Sequence, residues 1–120
     1  EKSSYFSPAV LTDVPVGADV YYEELFGPVA TVFKVSSDEE ALELANDTQY
    51  GLGGCVFSKD VERAEKIAQR LEVGMSNVNT YAAEGAEVPF GGVKNSGYGR
   101  ELGPYGMDEF VNKRTYFVAN

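Results

Sequence analysis

Residues 55–79 read CVFSKDVERAEKIAQRLEVGMSNVN, and this stretch decides the fold. Residues 55–57 are a brief apolar run typical of a strand, and residues 75–79 are predicted to form a second buried strand. Between them, apolar residues recur at the spacing of one helix face, namely Val61, Ala64, Ile67, Ala68 and Leu71. Asp60 is a suitable N-cap, and Gly74 is predicted to end the helix in the left-handed conformation. Short connections between strand, helix and strand predict parallel neighbours and an α/β fold.

The sequence on either side extends this alternation. Residues 29–35 (VATVFKV) are nearly all apolar, which predicts an inner strand covered on both faces. Ser37 and Glu40 have the spacing of a capping box, so we expect a helix over residues 38–46. Extended segments are predicted near residues 5–6 and 10–11. After residue 85 the chain is rich in glycine, which predicts a loop packed closely by its own backbone, then a short helix at 105–111 and a strand at 115–119.

Composition excludes several classes of function. The chain has 120 residues, a net charge of -9, no histidine and one cysteine. The negative charge opposes nucleic-acid binding, which requires a basic surface. Without histidine, the usual zinc sites and Ser-His or Cys-His catalysis within this chain are excluded, and we expect no metal site. The sequence has no apolar run long enough to span a bilayer and no leader, so we predict a cytoplasmic protein. Because it begins at Glu1, we expect a cut or processed piece.

The residue pattern alone leaves the candidate sites largely unassigned. Cys55 lies in an apolar strand and is interpreted as a small buried core residue. Glu23 and Glu24 are adjacent carboxylates, which usually face solvent. Phe90 beside two glycines is either a core anchor or the wall of a pocket, and the pattern does not choose between them. The glycine-rich run at residues 91–103 fits neither a dinucleotide fingerprint nor a phosphate loop.

Five ordered blocks carry a family resemblance. They are ELFGPV at 24–29, YGL at 50–52, NVN at 77–79, PFGGVK at 89–94 and SGYGRE at 96–101. Together they resemble the C-terminal third of the aldehyde dehydrogenase superfamily, and most of all its succinate-semialdehyde dehydrogenases. The resemblance implies a three-layer α/β domain with a mainly parallel sheet. Residues 1–114 would then be the C-terminal part of the catalytic domain, and residues 115–120 an oligomerisation strand.

The resemblance also implies a reaction for the full-length protein. An aldehyde, with succinate semialdehyde as one candidate, would be oxidised with NAD or NADP through a cysteine thioester. The nucleophilic cysteine of the family, its catalytic glutamate and most of its cofactor domain correspond to segments before this chain. We therefore expect no catalytic residue here, an inactive chain when isolated, and a homo-oligomer in the full-length enzyme.

Four residues match functional positions of the family. The resemblance implies that Glu24 holds the hydroxyls of the nicotinamide ribose, that Phe26 packs against the same sugar, and that Leu52 touches the nicotinamide region. It implies that Phe90 lines the substrate tunnel. These roles replace the solvent-facing interpretation of Glu24 and decide between the two readings of Phe90.

Two features qualify these implications. Glu84 and Glu87 lie in a segment that faces the substrate in the family, where they would repel an anionic aldehyde if they pointed inward. We expect both to point to solvent. A different class of function stays open as well, because the acidic composition also fits a self-standing α/β module that binds protein partners without catalysis.

Overall fold

The computed structural model describes residues 4–83 and 85–120. The chain divides into two compact units, Glu1–Glu43 and Leu44–Asn120. The elements of the first unit are β1 (Ala9–Thr12), α1 (Asp19–Tyr22), β2 (Val29–Val32) and most of α2 (Asp38–Asn46). Those of the second are β3 (Tyr50–Gly51), β4 (Gly53–Val56), α3 (Val61–Ala68), β5 (Met75–Val78), β6 (Val93–Lys94) and α4 (Gly103–Asp108).

The predicted strand–helix–strand is confirmed and organises the second unit. Strands β4 and β5 pair in parallel, with Gly53 opposite Met75 and Val56 opposite Val78. Helix α3 packs on both strands and buries Ala64 and Ala68. Asp60 caps this helix as predicted, since its Oδ1 accepts a hydrogen bond from the backbone N–H of Arg63 at 3.0 Å.

The end of α3 differs from the prediction. The helix stops at Ala68, and Gly74 is not in the left-handed conformation. Gly74 instead donates a backbone hydrogen bond to the carbonyl oxygen of Gly51 at 3.0 Å. A Cβ atom on Gly74 would overlap the backbone of Gly91 and Gly92. Glycine is needed at this position because two backbone segments touch, which no local pattern reveals.

The first unit is built on a two-stranded parallel sheet of β1 and β2. The predicted strand at 29–35 ends at Val32, and its residues alternate between half-buried and exposed. The expectation of an inner strand covered on both faces is therefore wrong for this chain. The physical reason is that, among the described residues, β2 pairs with β1 in a sheet of only two strands, which leaves Val32 half exposed.

Helix α2 has the predicted bounds, and its capping differs in one partner. The Ser37 Oγ accepts a hydrogen bond from the Glu40 backbone N–H at 3.1 Å, as a capping box requires. The Glu40 carboxylate, however, accepts bonds from the backbone N–H and the hydroxyl of Ser36, each at 2.7 Å. These bonds, the backbone one first, lower the pKa of Glu40 below its ordinary value.

This geometry predicts a pH dependence at the start of α2. Because the folded pKa of Glu40 is lowered, the stabilisation is present above the unfolded pKa and is lost as the pH falls through the folded value. We expect Ser36→Ala to raise the pKa of Glu40 towards its ordinary value, since the variant loses the hydroxyl bond. Carboxyl NMR titration measures the shift. Ser36→Thr, which keeps a hydroxyl, is the control, and an unchanged Glu40 titration in Ser36→Ala would contradict the assignment.

The C-terminal part of the chain is more ordered than a simple loop. Strand β6 pairs antiparallel with β3, and Phe90 forms an isolated antiparallel bridge with Glu101. Helix α4 starts two residues earlier than predicted, with Pro104 in its first turn. The prediction of a strand at residues 115–119 is wrong for the single chain, since its described part has no strand after β6. A strand needs a partner for its backbone groups, and the described residues supply none there.

Within residues 4–83 and 85–120, two of the three sheets are parallel, in line with the predicted α/β class, but each has only two strands. None of the helices in the described ranges combines the length and apolar character needed to cross a membrane.

Candidate active-site cleft

Leu52 and Phe90 line the same cleft of the second unit. This cleft has a volume of about 660 Å³ and is called the Leu52–Phe90 cleft below. Its floor is the β4–β5 sheet, and its other side comes from segments 81–83 and 88–90. Both Leu52 and Phe90 have 43% of their surface exposed, so their apolar groups face open space within reach of a ligand. The full set of lining residues is Leu52, Gly53, Gly54, Cys55, Gly74, Met75, Ser76, Asn77, Tyr81, Ala82, Ala83, Val88, Pro89 and Phe90.

The backbone of Phe90 is fixed while its ring is free on one side. Phe90 donates a backbone hydrogen bond to the carbonyl oxygen of Glu101 at 2.8 Å and accepts one from the Glu101 N–H at 2.6 Å. Leu52 and Phe90 also border a second cleft of about 790 Å³, which continues towards Arg100, Met107 and Phe110. The two side chains therefore stand between two concave surfaces.

Gly92 allows the glycine-rich segment to lie against Gly51 and Leu52. A Cβ atom on Gly92 would lie 2.6 Å from the Cβ of Ser96, 3.1 Å from the Gly51 oxygen and 3.2 Å from the Leu52 Cα. Such spacing leaves no room for a side chain. The predicted close packing of the glycine-rich segment by its own backbone is confirmed at Gly91, where an added Cβ would lie 2.8 Å from the Gly99 oxygen.

The partners of two cations in the glycine-rich segment were missed by sequence reasoning. The Arg100 Nη1 donates to the carbonyl oxygens of Gly92 at 2.8 Å and Gly99 at 2.6 Å. The Lys94 Nζ donates to Asn46 O and Thr48 O and pairs with Glu72. The only signal in the sequence is the presence of two basic residues in a glycine-rich segment, which does not identify their partners.

Cys55 is exposed, so its interpretation as a buried core residue is wrong. Side chains alternate along β4, and the neighbouring Gly54 faces Leu71 and Val73 beneath the helix. Cys55 therefore points to the opposite face of the sheet, which forms the floor of the Leu52–Phe90 cleft. No histidine exists in the sequence to activate its thiol.

Glu24 and Phe26 lie in the first unit, in the loop between α1 and β2. Both are exposed, and the Phe26 ring is 90% exposed. Phe26 has a φ of 45°, a left-handed conformation that costs about 1–2 kcal/mol in a residue with a side chain. The loop is anchored after this residue, because the Pro28 oxygen accepts a bond from Ala9 N–H at 2.9 Å. Residues in strained backbone conformations cluster at active sites and ligand clamps.

Of the two acids in the variable segment, the structure describes Glu87. Glu87 is exposed and lies outside the residues that border the two clefts, as expected for a side chain that points to solvent. Glu84 lies outside the described residues. Among the residues that the structure describes, no three cysteine or carboxylate side chains converge as a metal site would require.

Comparison with known proteins agrees with this geometry. The sequence matches the aldehyde dehydrogenase family over residues 1–116. It is 51% identical over 111 residues to a succinate-semialdehyde dehydrogenase [NADP(+)] of Deinococcus radiodurans, covering 92% of this chain and 23% of that protein.

Solved structures give the same result. The succinic semialdehyde dehydrogenase of Streptococcus pyogenes in complex with NADP+ superposes with a TM-score of 0.86 at 46% identity, over 92% of this chain and 24% of that one. The betaine aldehyde dehydrogenase of Staphylococcus aureus in complex with NAD+ has a TM-score of 0.78 at 42% identity, over 84% of this chain and 20% of that one. The chain thus spans about a quarter of the length of these relatives. The match across nearly all of its residues places the chain in the aldehyde dehydrogenase family.

Proposed function

We propose that the full-length protein is an NAD- or NADP-dependent aldehyde dehydrogenase that oxidises an aldehyde to a carboxylic acid through a cysteine thioester. The observation that carries this proposal is the Leu52–Phe90 cleft. The cleft is lined by Leu52, which we expect beside the nicotinamide, and by Phe90, which we expect beside the aldehyde. Hydride transfer requires those two reactants to be in contact, so a shared cleft is the arrangement that the reaction needs.

This chain would supply one side of the active site and not the nucleophile. Cys55, its one cysteine, lies within β4. The family resemblance implies a nucleophile in a segment before this chain, so we do not assign that role to Cys55. The relatives are about four times as long, which leaves room for the catalytic cysteine in the preceding segments. We therefore propose that the isolated chain is inactive.

The loop of Glu24 and Phe26 fits a nicotinamide cofactor. A ribose offers two hydroxyl donors and an apolar ring face, and this loop presents an exposed carboxylate two residues from an exposed aromatic ring. Glu24 would accept both hydroxyl bonds and Phe26 would pack on the sugar. When bound, the cofactor would supply the hydride acceptor. The choice between NAD and NADP depends on groups at the adenosine ribose, which we place before this chain.

The Leu52–Phe90 cleft does not by itself select one aldehyde, so the proposed substrate rests on the named relatives. Among the described residues that line the Leu52–Phe90 cleft, none carries a charge. This surface would exclude water from the reacting carbonyl without selecting for the charge of the aldehyde. We propose succinate semialdehyde as the first candidate because it is in the names of the Deinococcus and Streptococcus relatives. Betaine aldehyde is the second, from the Staphylococcus relative.

The same relatives support proposals on architecture. In the full-length enzyme, residues 1–114 would complete the C-terminal part of a three-layer catalytic domain with a mainly parallel sheet. Residues 115–119 would pair with a neighbouring subunit, which would bury the exposed side chains of Tyr116, Phe117 and Val118. A homo-oligomer is therefore proposed, and the cytoplasmic location stays a prediction.

The proposed function is tested by assaying the full-length protein with NAD+ and NADP+ against succinate semialdehyde and betaine aldehyde. We expect formation of reduced cofactor with at least one pair, and none from residues 1–120 alone. The two aldehydes have opposite charges, so their kcat/KM ratio shows whether segments outside this chain select by charge. A folded full-length protein that reduces neither cofactor with either aldehyde would refute the proposal, and binding of protein partners would then become the better explanation.

Truncation of Phe90 should weaken aldehyde binding. In Phe90→Ala the backbone bridge to Glu101 stays, while the half-exposed ring that would cover the substrate is lost. Covering that surface is worth about 1.5 kcal/mol, so we expect the KM for the aldehyde to rise about tenfold. Steady-state kinetics measure this change. Phe57→Ala is a matched control, since Phe57 is also exposed but lines neither cleft; an equal effect of both variants would exclude a specific role for Phe90.

A further inference from the structure

We propose that Lys94 is a positioning residue, which holds the Leu52 side of the cleft in place through its ammonium group. This inference rests on the proposed function for its catalytic consequence. The Lys94 Nζ donates to Asn46 O at 2.8 Å and Thr48 O at 3.1 Å, and lies 2.7 Å from a carboxylate oxygen of Glu72. An ammonium has three N–H donors, and each of them has an acceptor here. We call Lys94, Asn46, Thr48 and Glu72 the Lys94 clamp.

The clamp joins segments that are distant in sequence. Asn46 is the last residue of α2, where carbonyl groups lack helical partners and carry the negative end of the helix dipole. The Asn46 side chain also donates to Arg70 O at 3.0 Å and accepts from Glu72 N–H at 2.9 Å. One cation thus ties the end of α2, the turn before β3 and the segment before β5.

The clamp supports a segment whose pairing with β6 is very short. Strands β3 and β6 pair through two residue pairs only, Tyr50 with Lys94 and Gly51 with Val93. An isolated ladder of that size is unstable in water. Leu52 follows Gly51 directly. Backbone bonds hold both residues on one side, from Gly74 N–H to Gly51 O at 3.0 Å and from Met75 N–H to Leu52 O at 3.1 Å. On the β6 side, the segment is held by the clamp and by the bond from Gly51 N–H to Ser96 Oγ at 2.9 Å.

The backbone of Lys94 gives independent support. Lys94 has a φ of 53°, a conformation that glycine adopts far more easily. Its side chain is only 25% exposed, although lysine side chains are usually solvated. A lysine in this strained position is explained if its ammonium contributes more than the backbone conformation costs.

The test uses the full-length enzyme carrying Lys94→Met, which keeps the length of the side chain and removes all three donors. Hydrogen bonds to a charged group stabilise enough that their loss changes a rate or an equilibrium constant about tenfold. We expect amide exchange of residues 50–52 to accelerate about tenfold or more. We also expect kcat per titrated active site to fall about tenfold, with a smaller change in the aldehyde KM.

The matched control is Lys66→Met, which breaks an ion pair with Glu62 on the exposed face of α3, and should change neither readout. Glu72→Gln serves if Lys94→Met does not fold, and should give a smaller change in the same direction. Unchanged exchange and unchanged per-site turnover in Lys94→Met would overturn the inference, even if the yield of folded enzyme falls. If the unmodified enzyme oxidises no aldehyde, the proposed function fails, and amide exchange alone still decides whether the clamp holds Leu52.

Discussion

Gly74→Ala is expected to destabilise the second unit by about 3 kcal/mol or more, at the upper end of the range for overpacked interiors. The added Cβ would overlap the Gly91 carbonyl and lie 2.7 Å from the Gly92 Cα. These obstacles are backbone atoms, so no change of rotamer relieves the clash. The segment that carries Phe90 would have to move away from β5, and the Leu52–Phe90 cleft would change shape with it.

The measurement is the thermal unfolding midpoint of the full-length protein, together with its soluble yield. Gly53→Ala is the matched control, because Gly53 lies in the same β4–β5 sheet and its added Cβ would meet only Met75 atoms at 3.6 Å or more. We expect that variant to lie within about 1 kcal/mol of the unmodified protein. Equal stability of the two variants would contradict the close approach seen at Gly74.

The parts of the fold that could be predicted from the sequence are those set by local interactions. The β4–α3–β5 unit has its own capping residue, one apolar helix face and short connections, so a window of 25 residues contains the information. Helix α2 was equally predictable from Ser37 and the residues after it. In both cases the capping partners lie three or four residues apart.

Features that depend on distant partners could not be predicted. The role of Gly74 depends on Gly91, and the exposure of Cys55 depends on which face of the sheet α3 covers. The strand expected at residues 115–119 needs a second strand, which residues 4–83 and 85–120 do not supply. The burial of β2 and Cys55 was overestimated for the same reason. An apolar sequence pattern shows that one face of a strand is suited to burial, but it does not show which segment covers that face.

The residues of the candidate site likewise depend on distant partners, so the local pattern did not identify their roles. The residue pattern left Phe90 open between a core anchor and a pocket wall, and the structure places it on the border of two clefts beside Leu52. The Lys94 clamp joins residues that are 46 and 48 positions apart, so no local motif could identify it. Only the resemblance to a family singled out Glu24, because an exposed acid in a loop is ordinary by composition.

Glu24→Gln is expected to slow hydride transfer in the full-length enzyme by about tenfold to a hundredfold while leaving the fold intact. A carboxylate accepts a hydrogen bond from each hydroxyl of the ribose, whereas an amide offers one acceptor and places donors where the second hydroxyl lies. Losing one bond to a charged group costs about 1.5–3 kcal/mol, which gives this range of rates. Glu24 is exposed in a loop, so the substitution leaves no buried group unpaired.

Single-turnover kinetics at saturating cofactor separate this effect from weaker cofactor binding, which would appear in the dissociation constant. Glu23→Gln is the matched control, because it removes the same charge one residue away from an equally exposed position. If Glu24 acts through its position at the ribose, the two variants differ at least tenfold in the single-turnover rate. If it acts only through the negative charge of the loop, they are equal, and the role assigned to Glu24 is wrong. Since Phe26 is held on the same loop in a strained conformation, Phe26→Ala should add little to the defect of Glu24→Gln, because both residues would orient one sugar.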